Sequence, residues 1–392
     1  MKKTLLSSLL MLLPLVASAD AVEIDGIYYN LLEGNKAEVT ENPNKYSKAV
    51  AIPGAVVYNQ EAYEVTGIGD WAFWNCTGLT SVTIPNSVTS IKSGAFSGCT
   101  GLKSIAIPNS VVSIGRSAFD GCTALASVTI GNSVTTIEQY AFQKCSGLKN
   151  ITFGNSVESI GGWAFDACTG LTSITIPHSV KSIANYTFRD CTGLTSVTFD
   201  DCAPTMGEAV FQCCSGLKSV DLGNSIKSIG ISAFSGCTGL TSITIPNSVE
   251  SIGGWAFYCC TGLTSVTIGN SVTSIEKQAF QGCEGLTDVT FGSSVERIGE
   301  YAFSNCFKIA NITSLAKNPF AIDSNIFWED VFKNAEVFVP AGAVGKYTAA
   351  DGWKDFTKEI KTIPGDISCD IDGSGTVDIQ DLTTLVEILL GK

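Results

Sequence analysis

The chain has 392 residues, 45% of them hydrophobic, and a formal net charge of −13 at pH 7. This acidity argues against a nucleic-acid partner, whose recognition needs a basic face, and against electrostatic docking on anionic lipid. The single histidine removes most of the acid–base and nucleophilic constellations that depend on a histidine partner.

Residues 1–19 have the three parts of a secretory signal peptide. Lys2 and Lys3 form the charged start, Leu5 to Val16 the apolar run, and residues 17–19 a small-residue cleavage site. The apolar run is too short for a membrane helix, and no other stretch predicts a bilayer span. Cleavage would take the net charge from −13 to −15 by removing two lysines. We therefore expect a secreted or cell-surface protein.

Residues 20–69 are expected to form an N-terminal cap. Three short strands are predicted around the turn at residues 33–35, followed by an incomplete first coil with a hairpin at Tyr58-Asn59-Gln60. A repeat array needs such a segment because its end coil exposes apolar surface and open strand edges.

Residues 70–310 contain eleven copies of a 23-residue repeat. Each copy has a phenylalanine, a cysteine three positions after it, and an apolar residue six positions after it (Leu79 in the first copy). The phenylalanines are Phe73, Phe96, Phe119, Phe142, Phe165, Phe188, Phe211, Phe234, Phe257, Phe280 and Phe303. A period of this length predicts a solenoid, in which each coil buries its apolar face against its neighbours.

The spacing within a copy predicts how one coil is built. Val82-Thr83-Ile84 alternates as a short strand with Thr83 outward, and a Pro-Asn-Ser or Gly-Asn-Ser turn leads to a second apolar segment. The Ala-Phe-x-x-Cys piece is expected to close the coil as a tight helical turn. The predicted fold class is thus a β-rich leucine-rich-repeat solenoid with two caps.

These copies resemble the BspA-type leucine-rich repeats of bacterial surface proteins, with which they share the pattern AFxxCxxLxxVxIPxSVxxIG. The resemblance implies adhesion to host proteins or to other cells. One copy is weak: Ala203-Pro204-Thr205 replaces the usual turn and second segment, while Met206 keeps the isoleucine position. This is either a lapse in the repeat or a small bulge that marks a ligand edge.

Residues 311–364 are expected to form a C-terminal cap, as similar segments do in BspA-type arrays. Its aromatic residues, among them Tyr347, Trp353 and Phe356, are predicted to cover the end of the core, with ligand binding as the alternative.

Residues 365–392 predict a calcium loop followed by an apolar helix. Oxygen ligands at the required positions would be Asp370, Asp372, Ser374, Thr376 (through its carbonyl), Asp378 and Asp381. The segment resembles one unit of a type I dockerin and so implies a cohesin-like partner. Only one of the usual two units is present, and Ser374 replaces an Asp or Asn, which weakens the case for docking. An acidic disordered tail is the alternative.

Eleven of the fifteen cysteines, Cys76 to Cys306, occupy one position of the repeat. Side chains stacked one per coil lie about 4.8 Å apart, which is beyond the usual Cβ separation of a disulfide. We therefore expect buried thiols rather than disulfides or a zinc site. Four cysteines stand outside this file: Cys202, Cys213, Cys259 and Cys369.

Surface positions are expected to carry the specificity. Outward threonines form one file, interrupted at Asp221, and lysines such as Lys103 belong to a second. Six aromatic residues stand just before the Ala-Phe pairs: Trp71, Tyr140, Trp163, Tyr186, Trp255 and Tyr301. They either grip a ligand or pack along the coil edge.

The sequence thus predicts a non-catalytic binding solenoid whose ligand is an extracellular protein or glycan. The alternative is a non-catalytic subunit of a glycan-handling assembly, recruited through the calcium-loop tail.

Overall fold

The computed structural model describes residues 21–366, and these form a stack of short strands and turns repeated along one axis. The stack has about 13 turns, so the predicted solenoid is confirmed. Each coil contributes a first strand, a short second strand and an Ala-Phe turn, and these stack into three columns.

The N-terminal segment begins with an antiparallel hairpin that continues into the solenoid. A second hairpin turns at Asn59 and Gln60, which both have positive φ (51° and 68°), as two-residue hairpin turns require. The strands are Val22–Ile24, Ile27–Leu32, Lys36–Val39, Lys48–Ala51, Ala55–Tyr58 and Glu61–Ile68. Glu61–Ile68 pairs in parallel with the first short strand of the repeats, so the N-terminal segment covers the open edge of that column.

The first column consists of parallel strands whose equivalent residues pair directly. Val128 pairs with Ile151, and Thr129 with Thr152. Its strands in the repeats are Leu79–Thr83, Ser104–Ala106, Ser127–Thr129, Asn150–Thr152, Ser173–Ile176, Ser196–Phe199, Ser219–Asp221, Ser242–Thr244, Ser265–Thr267 and Asp288–Phe291. Hydrogen bonding between strands divides this column into four separate sheets.

The second column consists of two-residue strands and is divided once. They are Ser90–Ile91, Ser113–Ile114, Thr136–Ile137, Ser159–Ile160, Ser182–Ile183, Thr205–Met206, Ser228–Ile229, Ser251–Ile252, Ser274–Ile275 and Arg297–Ile298. The division follows Thr205–Met206, in the weak copy. There Cys202 and Pro204 are buried while Ala203 is exposed, so the inward positions have shifted by one residue. The copy is a local distortion that keeps the coil length.

The third column is a ladder of Ala-Phe turns, and its hydrogen bonds run without a break from Trp71 to Gly282. In each of these ten coils three alternate N–H groups donate to the next coil, as Trp71, Phe73 and Asn75 do to the carbonyls of residues 93, 95 and 97. The N–H groups between them donate locally, as Trp74 does to Trp71 at 2.9 Å. The prediction of a helical turn is wrong here, because a helix would direct every N–H group within its own coil.

This alternation requires two left-handed residues in every coil. The positions two before and two after each phenylalanine have positive φ, as at Trp71 (60°) and Asn75 (54°). Glycine, asparagine and aspartate suit that conformation, and they fill most of the later position but little of the earlier one.

The core is a column of stacked phenylalanine rings beside a column of thiols. Successive rings from Phe73 to Phe303 have centroids 4.8–5.4 Å apart and lie within 11° of parallel. Tyr46 closes the column at one end and Phe327 at the other. All eleven repeat cysteines are buried and free, which confirms the predicted thiol file. From Cys99 onward each thiol donates to the carbonyl of the phenylalanine 26 residues earlier, at 3.0 Å for Cys99.

The C-terminal segment extends the first column by three strands and then covers the core. The strands Asn311–Ser314, Glu336–Val339 and Ile360–Thr362 pair in parallel. Between them lie the helices Glu329–Asn334 and Val344–Ala349 and a 3₁₀ turn at Trp353–Asp355. Trp353 and Tyr347 are fully buried, and the indole of Trp353 donates to the Phe320 carbonyl at 2.8 Å. These aromatics pack over the end of the core.

Candidate interaction surface

Six aromatic side chains lie in one file on the flank of the Ala-Phe ladder, and we call this file the aromatic flank. Its members are Trp71, Tyr140, Trp163, Tyr186, Trp255 and Tyr301. Each occupies the left-handed position two residues before a core phenylalanine, with φ between 55° and 61°. The file position was predicted from the sequence, but the backbone conformation was not.

The left-handed conformation is costly for these residues. An L-residue other than glycine loses about 1–2 kcal/mol there because Cβ approaches the following carbonyl oxygen. Gly94 stands at the same position in another coil, so the fold accepts the residue that carries no such cost. The ladder imposes this conformation in every coil, so what distinguishes these six coils is a bulky aromatic ring at a position where such rings are unusual.

Three members of the aromatic flank form a continuous stack across consecutive coils. The ring of Trp163 lies 5.3 Å from that of Tyr140 and 4.9 Å from that of Tyr186. Arg116 and Arg189 cover the two ends, with guanidinium carbons 5.3 and 5.6 Å from the tyrosine centroids. Both faces of Trp163 are therefore occupied within the chain, and the stack offers a partner mainly its ring edges.

A buried carboxylate fixes one end of this stack. Asp166 is only 2% exposed and accepts hydrogen bonds from Arg189 Nε at 2.8 Å, Arg189 Nη2 at 3.3 Å and Gln143 Nε2 at 2.9 Å. The hydrogen bond to Asp166 raises the pKa of the Arg189 guanidinium. Arg189 is thereby held over Tyr186, so the order of the stack depends on a polar contact beneath it.

The two ends of the aromatic flank are more open. Trp71 and Tyr301 are each 46% exposed. The ring of Trp71 lies on Gly94, where a Cβ would approach a ring carbon to 2.1 Å, so only glycine leaves room for the indole. Trp71 also meets the exposed Trp74 edge-on at 6.4 Å, and this second indole was not among the predicted surface residues.

Trp255 has a different environment from the other members. Lys277 Nζ lies 4.6 Å from the centre of its ring. A cavity of about 620 Å³ adjoins it, and Ile231, Gly253 and Gly254 are among the residues that line it. Sequence reasoning found Trp255 but missed the cavity, which is lined by residues from four repeat coils and by Asp323 of the C-terminal segment.

The threonine files and His178, which were also predicted at the surface, are exposed, but several of their polar groups bond to other residues of the chain. Thr129 and its equivalents face outward, and several threonines of the neighbouring file donate to the preceding coil, as Thr195 does to the Thr172 carbonyl at 2.9 Å. His178 is exposed, 3.9 Å from an oxygen of Asp200. Of the cysteines outside the file, Cys202 is buried, Cys213 exposed and Cys259 half-buried.

Two of the predicted segments fall outside the described residues, namely the signal peptide at residues 1–19 and the calcium loop from Asp370 to Asp381. Cys369 is outside them as well. Within residues 21–366 no helix is both long and apolar enough to cross a membrane. In the same range no three His, Cys, Asp or Glu side chains are grouped as a metal site would need.

Comparison with known proteins identifies the repeats. A family model for the BspA type leucine rich repeat region matches residues 66–195 and 204–333 in six copies, which together make up about two thirds of the chain. No curated protein matches the sequence.

Similar solved structures come from several bacteria. A leucine-rich repeat protein of Bacteroides ovatus is 26% identical over 74% of this chain and 94% of its own, with a TM-score of 0.40. A leucine rich cell surface protein of Faecalibacterium prausnitzii is 25% identical over 69% and 94%, with a TM-score of 0.35. The pneumococcal vaccine antigen PcpA is 19% identical over 88% and 99%, with a TM-score of 0.37.

The repeat spacing, the stacked phenylalanines and the family match over both halves of the array lead to one assignment. The chain belongs to the BspA-type leucine-rich-repeat family.

Proposed function

We propose that the protein is a secreted or cell-surface solenoid that binds an extracellular macromolecule and has no catalytic activity of its own. The observation that carries this proposal is the aromatic flank. Six large rings are held at a backbone conformation that disfavours them, on a rigid array that orders them before any partner arrives. Rigid aromatic side chains bury a large area at small entropic cost.

Two further features support the proposal. The sequence of residues 1–19 has the form of an export signal. The only histidine is exposed at a turn beside Asp200, 3.9 Å away, and a lone exposed pair of this kind lacks the nucleophile and the enclosed site that hydrolytic catalysis uses.

The experiment is a binding screen of the exported full-length chain against immobilised extracellular matrix proteins and glycans. Glycine substitutions at Trp71, Trp163 and Trp255 remove the rings and also relieve the steric cost of the left-handed backbone conformation. The matched controls are Ser117→Gly and Gln278→Gly, since both residues occupy the same left-handed position without an aromatic ring.

We expect at least one ligand whose affinity falls tenfold or more in an aromatic variant and stays unchanged in both controls. Ligands that bind all variants equally would contradict the role of the aromatic flank. Release of products from any glycan or peptide by the purified chain would contradict the non-catalytic assignment.

A second candidate function rests on the tail motif. The spacing from Asp370 to Asp381 matches a calcium loop, and its resemblance to a dockerin unit points to recruitment into a glycan-handling assembly. We expect calcium-dependent capture by a cohesin-bearing protein that Asp370→Ala abolishes and Gln380→Ala, at a non-ligand position, preserves. Capture that is equal with and without calcium would exclude this candidate.

A further inference from the structure

Two of the cysteines outside the buried file occupy equivalent positions two coils apart. Cys213 and Cys259 each stand two residues after a core phenylalanine, at the later left-handed position of the Ala-Phe turn, with φ of 59° and 54°. Cys213 is exposed and Cys259 is half-buried. In the other coils the same position holds glycine, asparagine, aspartate, lysine or alanine, so the fold does not require a thiol there.

The coil that follows each of these cysteines leaves its thiol uncovered. One coil after Cys213 stands Gly236, and one coil after Cys259 stands Gly282. A Cβ at these glycines would lie 3.4 and 3.0 Å from the two sulfur atoms, so a larger residue would crowd the thiols. The two glycines therefore keep space beside each sulfur atom.

The two thiols cannot form a disulfide within one chain. The core rings of their coils are separated by two steps of 5.4 Å each, which is beyond the Cα separation of roughly 7 Å that a disulfide can span. The next cysteines in the sequence, Cys214 and Cys260, are buried and donate to phenylalanine carbonyls at 3.2 and 3.1 Å. In a secreted protein, unpaired cysteines outside the core suggest a bond between chains.

The three coils at this site present an uncharged surface on an acidic chain. Residues 212–215, 235–238 and 258–261 contain no Asp, Glu, Lys or Arg, and we call the surface they form the thiol face. The net charge of −13 opposes contact between two copies wherever acidic groups meet, so a neutral area favours their approach. Tyr258, 37% exposed, supplies a large ring of the kind that protein interfaces favour.

Gly236 lies midway between the two cysteines, and this symmetry indicates how two copies would fit. A two-fold axis along the Gly236 coil places Cys213 of each copy opposite the partner's Cys259, with the two solenoids antiparallel. Asp190, one coil before Cys213, then faces the partner's Gly282. In a parallel arrangement Asp190 would instead face the partner's Asp190, which like-charge repulsion disfavours.

We propose that the thiol face is the interface of a disulfide-linked homodimer, in which Cys213 of each copy is joined to the partner's Cys259. The oxidant is a low-molecular-weight disulfide of the extracellular medium. One cysteine thiolate attacks a sulfur atom of this disulfide and releases one small thiol, and the opposing thiolate then attacks the mixed disulfide and releases the second. Each junction thus oxidises two protein thiols and reduces one small disulfide to two thiols.

Dimer formation is independent of the ligand and of the aromatic flank. It depends on the proposed function only for an oxidising, extracellular setting. Because the experiment supplies its own oxidant, its result and that of the binding screen can fail separately.

The experiment incubates the full-length chain with oxidised glutathione at pH 8. All samples carry Cys369→Ser, because Cys369 lies outside the described residues and its thiol could join two chains by another route. Free thiols are then blocked with iodoacetamide, and the dimer is measured on non-reducing gels and by size-exclusion chromatography, with and without dithiothreitol. Mass spectrometry identifies the linked cysteines. Cys213→Ser and Cys259→Ser are tested separately and as an equimolar mixture.

We expect a dithiothreitol-sensitive dimer linked between Cys213 and Cys259. Each serine variant alone should give at least tenfold less dimer, because both junctions need one cysteine of each kind. The equimolar mixture should regain the dimer, since one copy then supplies Cys213 and the other Cys259. As a control, Ala167→Cys in the chain that lacks both cysteines places a thiol at the same left-handed position (φ 57°) of another coil. It should give no more dimer than the single variants.

Three results would overturn this inference. Dimer formation by Cys213→Ser alone, at the rate of the chain that retains both cysteines, would mean that the copies are not antiparallel about Gly236. An equimolar mixture that stays monomeric would mean that the two cysteines do not face each other. Oxidation that yields only glutathione adducts or links within one chain would mean that the thiol face does not bind a second copy.

Discussion

The buried thiols predict a steep loss of stability at alkaline pH. Eight of the buried thiols have a raised pKa whose largest cause is burial. The pKa is raised to about 11 at Cys76 and Cys202 and to about 12 at Cys260. The others, raised well above 9.0, are Cys145, Cys168, Cys214, Cys237 and Cys283. In the unfolded chain the same thiols would titrate near their ordinary pKa of 9.0.

Proton linkage determines whether the unfolding free energy rises or falls with pH. Because the folded pKa lies above the unfolded one, the folded chain holds its thiol protons while the unfolded chain releases them as the pH rises past 9. The stabilisation is complete below pH 9 and is lost progressively up to the folded pKa. At pH 10 the titration of each thiol lowers the unfolding free energy by about 1 kcal/mol. Over eight thiols the loss is on the order of 10 kcal/mol, which is comparable to the whole stability of many domains.

The assay is urea unfolding of the reduced chain, followed by circular dichroism, between pH 7 and pH 10. Lysine and tyrosine titration contribute to the same pH range, so the thiol contribution is isolated with Cys237→Ala. This variant lacks one titrating group. Its stability deficit relative to the unmodified chain should therefore shrink by about 1 kcal/mol from pH 7 to pH 10.

Two results would refute this reasoning. One is an unfolding free energy that stays flat from pH 8 to pH 10 in the unmodified chain. The other is a Cys237→Ala deficit that does not change with pH, which would mean that the buried thiol ionises as readily in the folded chain as in the unfolded one.

Three further predictions concern the core, the stack and the remaining cysteines. Phe188→Ala should lower the unfolding free energy by about 3–5 kcal/mol, measured in urea, because a fully buried ring in the middle of the column is lost. Asp166→Ala should cost about 1–3 kcal/mol and change the tryptophan fluorescence, because Arg189 loses the carboxylate that holds it over the stack. Iodoacetamide at pH 8 should label Cys213 first and Cys259 more slowly among residues 21–366, as mass spectrometry of the folded chain would show.

Each of these has a control within the chain. Phe307→Ala removes a ring that is 49% exposed and should cost far less than Phe188→Ala. Lys181→Ala removes an exposed ion pair with Glu158, worth about 0–1 kcal/mol, and should leave the fluorescence unchanged. Equal effects of Phe188→Ala and Phe307→Ala, or labelling of Cys237 at the rate of Cys213, would contradict the described core.

The sequence predicted the features that recur in every coil. A phenylalanine every 23 residues can bury its ring only by stacking on its equivalents, and a cysteine beside it can only be parallel to the next one. Both consequences follow from the period alone. The family resemblance followed from the same residues, as did the location of the aromatic flank.

The backbone of the Ala-Phe turn was not predicted, because aromatic residues at its left-handed position contradict local preference. The available signal was weak: Gly94 at the earlier position and a few glycines, such as Gly98, at the later one. The cavity beside Trp255 was also missed. It is lined by residues of successive coils, among them Ile231, Gly254 and Glu276, and differences between neighbouring copies are lost when the copies are read as one consensus.

The hydrogen bonds of the Ala-Phe ladder are formed by backbone groups only, three per junction at 2.7–3.2 Å, whichever side chains the two coils carry. The ladder itself therefore does not restrict which coil follows which, although some side chains do, as where Trp71 leaves room only for glycine at position 94. Unequal recombination between gene segments that encode the copies would add or remove one whole coil. Both terminal segments would still pack on the array, so the length of the solenoid can change in steps of 23 residues. Ligand preference would then change with the order in which the coils are arranged.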